Sequence, residues 1–337
     1  MGKARLDLAG VLRGQTDFRL KQISQSLFNP KIRGWDEITS LPKGLRENLL
    51  DNIPWVFLKL KELQISEKDG SQKALLELED GNLIEAVLMG NARGGYTVCL
   101  SSQAGCPVGC AFCSTGQMGF ARNLTSNEII DQFRFWLYRN DKINNIVIMG
   151  MGEPFLNYEN VRDAVRSIIK YSEIGPNHIV VSSVGIIDKL EQVLSDESWP
   201  KARLAISLHS AIDSTRKKIV PVHNETFFAD LIGWSKKYLE KFDARNSHLS
   251  FEYILLESIN DSQDEAQALV SFLKEIGDRD RIKVNLIQYN QTLGSFSPSK
   301  RIFDFQNTIK NAGIFCAIRK SYGSDISAAC GQLAGKI

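Results

Sequence analysis

The chain has 337 residues, of which 43% are hydrophobic and 24% charged, with a formal net charge of +2. This composition excludes a low-complexity tail or a coiled coil, and it allows one large core with or without a small accessory domain. No apolar run approaches the roughly 20 residues of a membrane helix, and residues 1–10 carry no signal-peptide hydrophobic block. We therefore expect a cytoplasmic protein with no membrane attachment.

The first part of the chain is predicted to form a small helical domain. Its helices are separated at Asn29-Pro30, Leu41-Pro42 and Ile53-Pro54, because a residue before proline disfavours the helical conformation. Residues 1–50 include nine basic and five acidic side chains. This excess fits a module that contacts phosphates, and it fits equally the solvated face of a helical bundle.

A β-rich segment follows. Residues 74–89 are predicted to form a hairpin, since Leu76 and Leu78 alternate with glutamates and Asp80-Gly81 supplies the turn. A further strand is expected from Tyr96 to Leu100.

From residue 100 onward, strand-like runs alternate with helical patterns, which predicts a parallel sheet with helices outside it. Thr125 and Glu128 form a capping box that opens one of the helices. The predicted strands are 145–149, 178–182, 204–208, 249–255, 282–287 and 313–319, with helices at 161–170 and 265–276 among them. About six units are too few for a closed eight-stranded barrel, so we expect a partly open α/β barrel with its active site at the carboxyl ends of the strands.

Cys106, Cys110 and Cys113 lie in a glycine-containing loop after a strand-like run. Structural zinc needs four protein ligands, whereas three thiolates leave one iron of a [4Fe-4S] cluster open. In a C-x3-C-x2-C loop the open position usually binds S-adenosylmethionine (SAM), which is cleaved to a 5′-deoxyadenosyl radical. Phe112 before the third cysteine fits this motif. The alternatives are a zinc loop completed by a distant histidine, and three unrelated buried thiols.

Polar residues follow several predicted strands at the same edge of the sheet. Residues 150–154 combine glycines, which allow close backbone approach, with Glu153, whose carboxylate suits the ammonium group of SAM. The alternative is a tight turn with a surface acid. Further candidates at this edge are Ser182, Ser207, Leu208, His209 and Asn290. Each of these alone is more commonly a satisfied polar residue at a strand end.

Three cysteines lie outside the loop. Alternation along residues 96–101 places Cys99 on the face that looks into the barrel. Cys330 lies among small residues that are flexible enough to enter a crowded site. Cys316 fits a buried small hydrophobe, and spacing alone allows the same interpretation of the other two.

The most specific segments are spread over nearly the whole chain. They are residues 18–22, 99–106, the three-cysteine loop, 116–124, 150–154, 207–209 and 328–333. Together they resemble the RlmN/Cfr family of radical SAM RNA methyltransferases. The resemblance implies a partial (β/α)6 radical SAM barrel over residues 99–337, an N-terminal helical accessory domain that contacts RNA over 1–68, and a β-hairpin linker over 69–98.

The resemblance also implies roles for single residues. Cys330 would take a methyl group from one SAM, and a radical from a second SAM would remove a hydrogen from that S-methyl group. The carbon radical would then add to adenine. Cys99 would release the RNA by forming a transient disulfide with Cys330, and Glu85 would accept the ring proton; without the resemblance, Glu85 is an exposed strand glutamate. The implied SAM-binding residues are Gly152, Glu153, Ser182, Ser207, Leu208, His209 and Asn290, and the implied cluster ligands are Cys106, Cys110 and Cys113.

The implied substrate is RNA with its target adenine unstacked. Residues 117–120 and 153–157 favour the RlmN branch, which methylates adenine C2 in the peptidyl-transferase region of 23S ribosomal RNA and beside the anticodon in some tRNAs. The Cfr branch methylates C8. We also expect an electron donor and a monomeric state. One departure is that the family commonly has proline after the asparagine matched by Asn290, whereas Gln291 stands here.

Two alternatives from other classes stay open. A radical activase that acts on a partner protein would need neither Cys99 nor Cys330. An RNA-binding protein with structural zinc would need a fourth ligand, which the four histidines do not readily supply.

Overall fold

The computed structural model describes residues 12, 14–91, 94–140, 142–242, 248–292 and 295–335. The signal-peptide expectation for residues 1–10 and part of the loop after Asn290 lie outside these ranges. In the described part of the chain, every helix is too short or too polar to span a membrane.

A helical unit forms the N-terminal part, as predicted. Helices α1 (Asp17–Leu27) and α2 (Lys43–Asn52) flank a short 3-10 turn at Trp35–Glu37. The Trp35 indole N–H donates to the Ile53 carbonyl at 2.7 Å, which satisfies its only polar group inside the core. The buried side chains of this small core are Ile23, Trp35, Ile38, Leu41, Leu49 and Ile53.

Twelve strands are found among the described residues. They are β1 (Lys59–Ile65), β2 (Gln72–Glu77), β3 (Leu83–Gly90), β4 (Tyr96–Cys99), β5 (Gln103–Gly105), β6 (Phe120–Asn123), β7 (Ile143–Ile148), β8 (Ile179–Ser183), β9 (Arg203–Ser207), β10 (Leu249–Leu255), β11 (Ile282–Gln288) and β12 (Phe315–Arg319). Ten of them form one sheet in the order β1-β2-β3-β4-β7-β8-β9-β10-β11-β12, while β5 and β6 pair separately.

The remaining helices connect these strands. They are α3 (Ser114–Gln117), α4 (Ser126–Leu137), α5 (Tyr158–Tyr171), α6 (Ile187–Ser195), α7 (Asp213–Ile219), α8 (Phe227–Lys241), α9 (Gln263–Ile276) and α10 (Ile302–Asn311). The predicted capping box is present, with Thr125 Oγ1 and the Glu128 carboxylate each accepting from the other residue's backbone N–H.

The strand directions divide the sheet into two parts. β1 to β4 pair antiparallel, whereas β4 and β7 to β12 pair parallel. Each of the six predicted parallel strands is present within two residues of its expected bounds, so the (β/α) alternation is confirmed. Because β1 and β12 are the sheet's two edges, the barrel is open. The β10 side chains are buried along the whole strand, as expected between helices and a barrel interior.

Strand β1 differs from the expectation, because it lies in a stretch predicted to be helical. Its pairing with β2 is shifted between Leu60 and Glu62. Such a bulge breaks the period-two alternation by which a strand is recognised.

Candidate active site

The three-cysteine loop runs from β5 into α3 and is held in a tight curve. Gly109 adopts φ +73°, and the Cys113 N–H donates to the Cys110 carbonyl at 3.1 Å. Gly116 in α3 packs directly on the loop, since a Cβ there would lie 2.9 Å from the Cys110 nitrogen. The loop therefore folds back on its own helix and brings the three thiols to one place.

The three thiols influence one another electrostatically. The pKa of the Cys106 thiol is raised to about 12, mainly by burial, with the nearby Glu153 and Cys113 contributing in the same direction. Burial likewise raises the pKa of Cys110 well above its ordinary value, with the Cys113 and Cys106 charges adding to the effect. Three thiolates in such a place need a compensating positive centre.

The surroundings of the loop are apolar. The buried residues packed with it are Val108, Phe112, Val184, Ile219, Val220, Ile254, Leu256 and Tyr289. In the described part of the chain, no three His, Cys, Asp or Glu side chains surround a single point as one metal ion requires. A cubane makes a different demand, because each cysteine ligates a different iron. The donor set and its apolar shell thus fit an iron–sulfur cluster with one iron open.

The turn after β7 needs glycine at two positions. At Gly150 a Cβ would lie 2.7 Å from Ser101 Oγ, and at Gly152, with φ +103°, a Cβ would lie 2.6 Å from the Gln103 side chain. The Gln103 amide oxygen also accepts from the Glu153 N–H at 2.8 Å. This packing turns the chain directly behind the cysteine loop and points Glu153 inward.

Glu153 is a buried carboxylate, 3% exposed. Its two oxygens accept from the N–H groups of Phe155 and Val184, each at 2.9 Å. Burial nevertheless raises its pKa to about 7, because these hydrogen bonds only partly replace water. Each oxygen retains a lone pair, so the carboxylate could still accept from a ligand's ammonium group.

The next two strands end in a pair of hydroxyl groups. Ser182 Oγ and Ser207 Oγ lie 3.1 Å apart at the carboxyl ends of β8 and β9. Leu208 and His209 follow, and their N–H groups donate to the Glu252 carbonyl at 3.0 and 3.3 Å. These residues therefore form one continuous edge above the barrel.

His209 is held as a neutral ring in a strained backbone. Its φ is +62°, its Nδ1 accepts from the Ile254 N–H at 3.1 Å, and its ring meets Phe112 edge-on at 4.6 Å. Burial, with the charge of Arg216, lowers its pKa to about 3. The hydrogen is thus on Nε2, and the ring is an uncharged donor toward the site. Strain of this kind often accompanies a binding role.

Cys99 and Cys330 are far apart in the sequence but near each other in the structure. Burial raises the pKa of Cys99, and the charge of Cys330 raises it further, so the two thiols interact electrostatically. Cys330 is accessible to solvent, and the surrounding protein, Glu252 and Cys113 raise its pKa while Arg319 lowers it.

Residues 323–335, which we call the Cys330 segment, lie against the cysteine loop. The Ser114 N–H donates to the Gly331 carbonyl at 2.7 Å, and Asn290 Nδ2 donates to the Cys330 carbonyl at 3.3 Å. Asn290, from the end of β11, thereby joins the same edge as the serines.

Glu85 is the residue whose surroundings the sequence described wrongly. As an unassigned strand residue it was expected to be exposed, but it is 1% exposed. It pairs with Lys73 Nζ at 3.0 Å, and its second oxygen accepts from the Ala334 N–H at 2.7 Å. Strand β3 turns Glu85 toward the Cys330 segment instead of solvent. The sequence around Glu85 does not indicate this contact.

Comparison with known proteins identifies the family. Residues 100–281 match the model of the Radical SAM superfamily. The chain is 41% identical to the probable dual-specificity RNA methyltransferase RlmN of Thermotoga neapolitana, covering 95% of this chain and 92% of that protein. The chain belongs to the RlmN/Cfr family of radical SAM methyltransferases.

Two further relatives agree with this membership. The ribosomal RNA large subunit methyltransferase Cfr of Clostridium botulinum strain Okra is 36% identical, with 94% of this chain and 92% of that protein covered. The crystal structure of a radical SAM methyltransferase from Sphaerobacter thermophilus superposes with a TM-score of 0.87 at 35% identity, covering 95% of this chain and 93% of the other. The cofactors of the RlmN/Cfr family are a [4Fe-4S] cluster and SAM, of which two molecules are used per turnover.

Two buried cations at this RlmN/Cfr site escaped the sequence analysis. Lys73 pairs with Glu85. Arg216, fully buried, donates to the Leu208 carbonyl at 3.1 Å and the Val184 carbonyl at 2.6 Å, and burial lowers its pKa to about 9. Lys73 could have been noticed in the sequence, because a lysine among apolar strand residues is unusual. Arg216 could not, because the sequence of α7 is that of an ordinary charged helix.

Proposed function

We propose that the protein methylates C2 of adenine in RNA through an S-methylcysteine formed on Cys330. The observation that carries this proposal is that the Cys330 segment docks on the three-cysteine loop through Gly331 and Ser114, with Cys99 near enough for its thiol to interact with that of Cys330. A radical activase has no use for such a pair. The greater identity to the relative named RlmN than to the one named Cfr supports C2 over C8.

The cofactors would be held by the residues gathered at the barrel edge. Cys106, Cys110 and Cys113 would ligate the cluster. The SAM-binding residues would be Gly152, Glu153, Ser182, Ser207, Leu208, His209 and Asn290. A bound cluster would supply the one-electron chemistry that cleaves the sulfonium of SAM and that takes up the electron left over after the adenine is alkylated. Glu153 would face the ammonium group, and the neutral His209 would donate a hydrogen bond without adding charge.

Three residues would carry the methyl transfer. The Cys330 thiolate would take a methyl group from one SAM by displacement, with S-adenosylhomocysteine leaving. The 5′-deoxyadenosyl radical from a second SAM would take one hydrogen atom from that S-methyl group, and the resulting carbon radical would form a bond to adenine C2. Glu85 accepts the C2 proton, and the C–H electron pair stays in the ring. Cys99 then attacks the Cys330 sulfur. The sulfur–carbon bond breaks, the carbon gains a proton to become the methyl group, and the two cysteines form a disulfide.

The RNA would be 23S ribosomal RNA, with tRNA as a second substrate, and a reducing cytoplasm would reopen the disulfide after each turnover. The N-terminal domain, proposed as residues 1–68, would help to hold the RNA; Phe18, 64% exposed, and its neighbour Arg19 offer an aromatic and a cationic group on α1. The protein would act as a monomer that receives its electron from a separate donor.

The test is anaerobic reconstitution with iron and sulfide, followed by incubation with ribosomal RNA fragments or tRNA and methyl-labelled SAM. Digestion and mass spectrometry would identify the methyladenosine. We expect 2-methyladenosine from the unaltered protein and from Cys316→Ala, whose buried thiol lies on β12, and no product from Cys330→Ala. Cys99→Ala should accumulate a covalent protein–RNA adduct.

The other outcomes identify the alternatives. 8-Methyladenosine would move the protein to the Cfr type of reaction. Cleavage of SAM without labelled RNA in any arm would contradict an RNA methyltransferase and favour a radical enzyme with a different substrate.

A further inference from the structure

A buried ion pair joins two strands beside the Cys330 segment. Lys73 on β2 and Glu85 on β3 are diagonal neighbours, since Lys73 lies opposite Val87 and Glu85 opposite Leu75. Lys73 Nζ is 3.0 Å from Glu85 Oε1, and the two side chains are 8% and 1% exposed. Burying both charges is itself unfavourable, so such a pair contributes little net stability. The other side-chain hydrogen bonds of Lys73 and Glu85 are with the Cys330 segment.

The Lys73–Glu85 pair forms hydrogen bonds with the Cys330 segment both before and after Cys330. Lys73 Nζ donates to the Ser327 carbonyl at 3.4 Å, upstream of Cys330. Downstream, Glu85 Oε2 accepts from the N–H groups of Ala334 at 2.7 Å and Gly335 at 3.3 Å. One carboxylate oxygen is therefore bound to the lysine and the other to the segment.

Other groups hold the segment independently of this pair. The Gly323 N–H donates to Asp69 Oδ2 at 2.9 Å, Ser66 Oγ donates to Asp325 Oδ1 at 2.7 Å, and Thr115 Oγ1 donates to the Leu333 carbonyl at 2.6 Å. Removal of Lys73 would thus leave the Cys330 segment attached. The Glu85 carboxylate, however, would no longer be fixed through Oε1, so its Oε2 would lose its defined direction.

We propose that Lys73 is a positioning residue that holds Oε1 of Glu85 and so aims its Oε2 at the place vacated when the Cys330 segment moves. This inference rests on the proposed function, in which Glu85 accepts the adenine proton. While the segment is docked, the N–H groups of Ala334 and Gly335 occupy Oε2, so a substrate cannot reach it. Departure of the segment removes those donors, and Lys73 still holds Oε1. The base becomes available only when Cys330 has left its docked position.

The proton transfer needs no additional reactant. The C2–H bond breaks, its electron pair remains in the ring, and the proton forms an O–H bond on Oε2. Without Lys73, Oε1 would lose its ion-pair partner and the carboxylate would be free to rotate away from the place where the adenine ring must lie. The ring proton would then have no aligned acceptor, so the covalent protein–RNA adduct would form but fail to resolve.

The experiment compares Lys73→Met and Lys73→Arg with Lys61→Met in the reconstituted enzyme. Lys61 is the matched control, since it makes a more exposed ion pair with Glu77 between the adjoining strands β1 and β2. The readouts are methyl on Cys330 by protein mass, adduct by denaturing gel, and released methyladenosine. We expect Lys73→Met to retain Cys330 methylation, to accumulate adduct, and to release product at least roughly tenfold more slowly, as for loss of a general base. Lys73→Arg should restore most of the release.

Hydrogen exchange provides a readout that does not depend on turnover. The amides of Ala334 and Gly335, which donate to Glu85, should exchange faster in Lys73→Met than in the unaltered protein, whereas exchange should not change in Lys61→Met. Normal product release by Lys73→Met without adduct would overturn the proposal, and so would unchanged exchange. If the unaltered protein methylates no RNA, the proposed function fails, and faster exchange would then assign Lys73 to holding the segment alone.

Discussion

At Glu153 the two carboxylate oxygens are each bound to a backbone N–H, which makes the position intolerant of small chemical changes. The sequence predicted an inward carboxylate at this turn from its glycines and its place after a strand. It could not predict the two donors, because Val184 belongs to the next strand's loop. The raised pKa of Glu153 likewise follows from burial by distant residues.

Glu153→Gln should destabilise the protein by about 1–3 kcal/mol, because the amide NH2 would face one of the two N–H donors and leave it unpaired. Chemical denaturation measures this change. Glu240→Gln, an exposed substitution on α8, should shift stability by less than about 0.5 kcal/mol. Equal stability of the two variants would show that the side chain has room to turn away from its donors.

Residues with distinctive spacing were found from the sequence, and residues that act through long-range contacts were not. The cysteine loop is recognisable because its three thiols lie within one loop. Lys73 and Glu85 acquire their surroundings from the Cys330 segment, which lies at the other end of the chain. No local pattern encodes that contact, so the exposure of Glu85 was misjudged.

At the scale of elements, hydrophobic periodicity was sufficient for the parallel strands and their helices. It failed at β1, where a bulge disturbs the alternation, and it did not indicate β5 and β6, which have three and four residues. Short strands carry too few side chains to show a period. The position of α3 against the cysteine loop was equally hidden, since it depends on a glycine contact.

Gly116→Ala should displace the cysteine loop, because the added Cβ would press on backbone atoms of Cys110 that cannot rotate away. We expect substoichiometric iron after anaerobic reconstitution, at roughly half or less of the normal content, as expected when ligands lose their placement. Iron and sulfide analysis measures it. Gly233→Ala in α8 points into open space and should keep full iron content while gaining up to about 1 kcal/mol of stability. Full iron in Gly116→Ala would contradict the packing argument.

At the scale of the whole molecule, α4 joins the helical unit to the barrel. Arg134 Nε donates to the Leu27 carbonyl at 2.9 Å, its guanidinium lies 4.8 Å from the Trp55 ring, and it pairs with Asp131. Asp131 in turn accepts from the Phe57 N–H at 2.7 Å. One buried ion pair thus contacts both units.

Arg134→Met should loosen this junction by about 3–5 kcal/mol, because Asp131 would remain as an unpaired buried charge. Calorimetry should show the N-terminal unit melting before the barrel, and RNA binding should weaken while cluster content is retained. Lys237→Met, which removes an exposed pair with Glu191 on the barrel surface, should leave a single transition. A single, unshifted transition in Arg134→Met would mean that the apolar contacts alone secure the two units.

The Glu85–Ala334 contact also sets an order of assembly, since its partners are 249 residues apart in the chain. At ribosomal rates of roughly 5–20 residues per second, β3 is complete about 12–50 seconds before Ala334 is made. The barrel strands lie between them and can pair first. The Cys330 segment, which lies over the cysteine loop through Gly331 and Ser114, therefore docks after those strands. Until it docks, the cysteine loop is uncovered on that side, so we expect iron to reach its three thiols more readily before docking than after it.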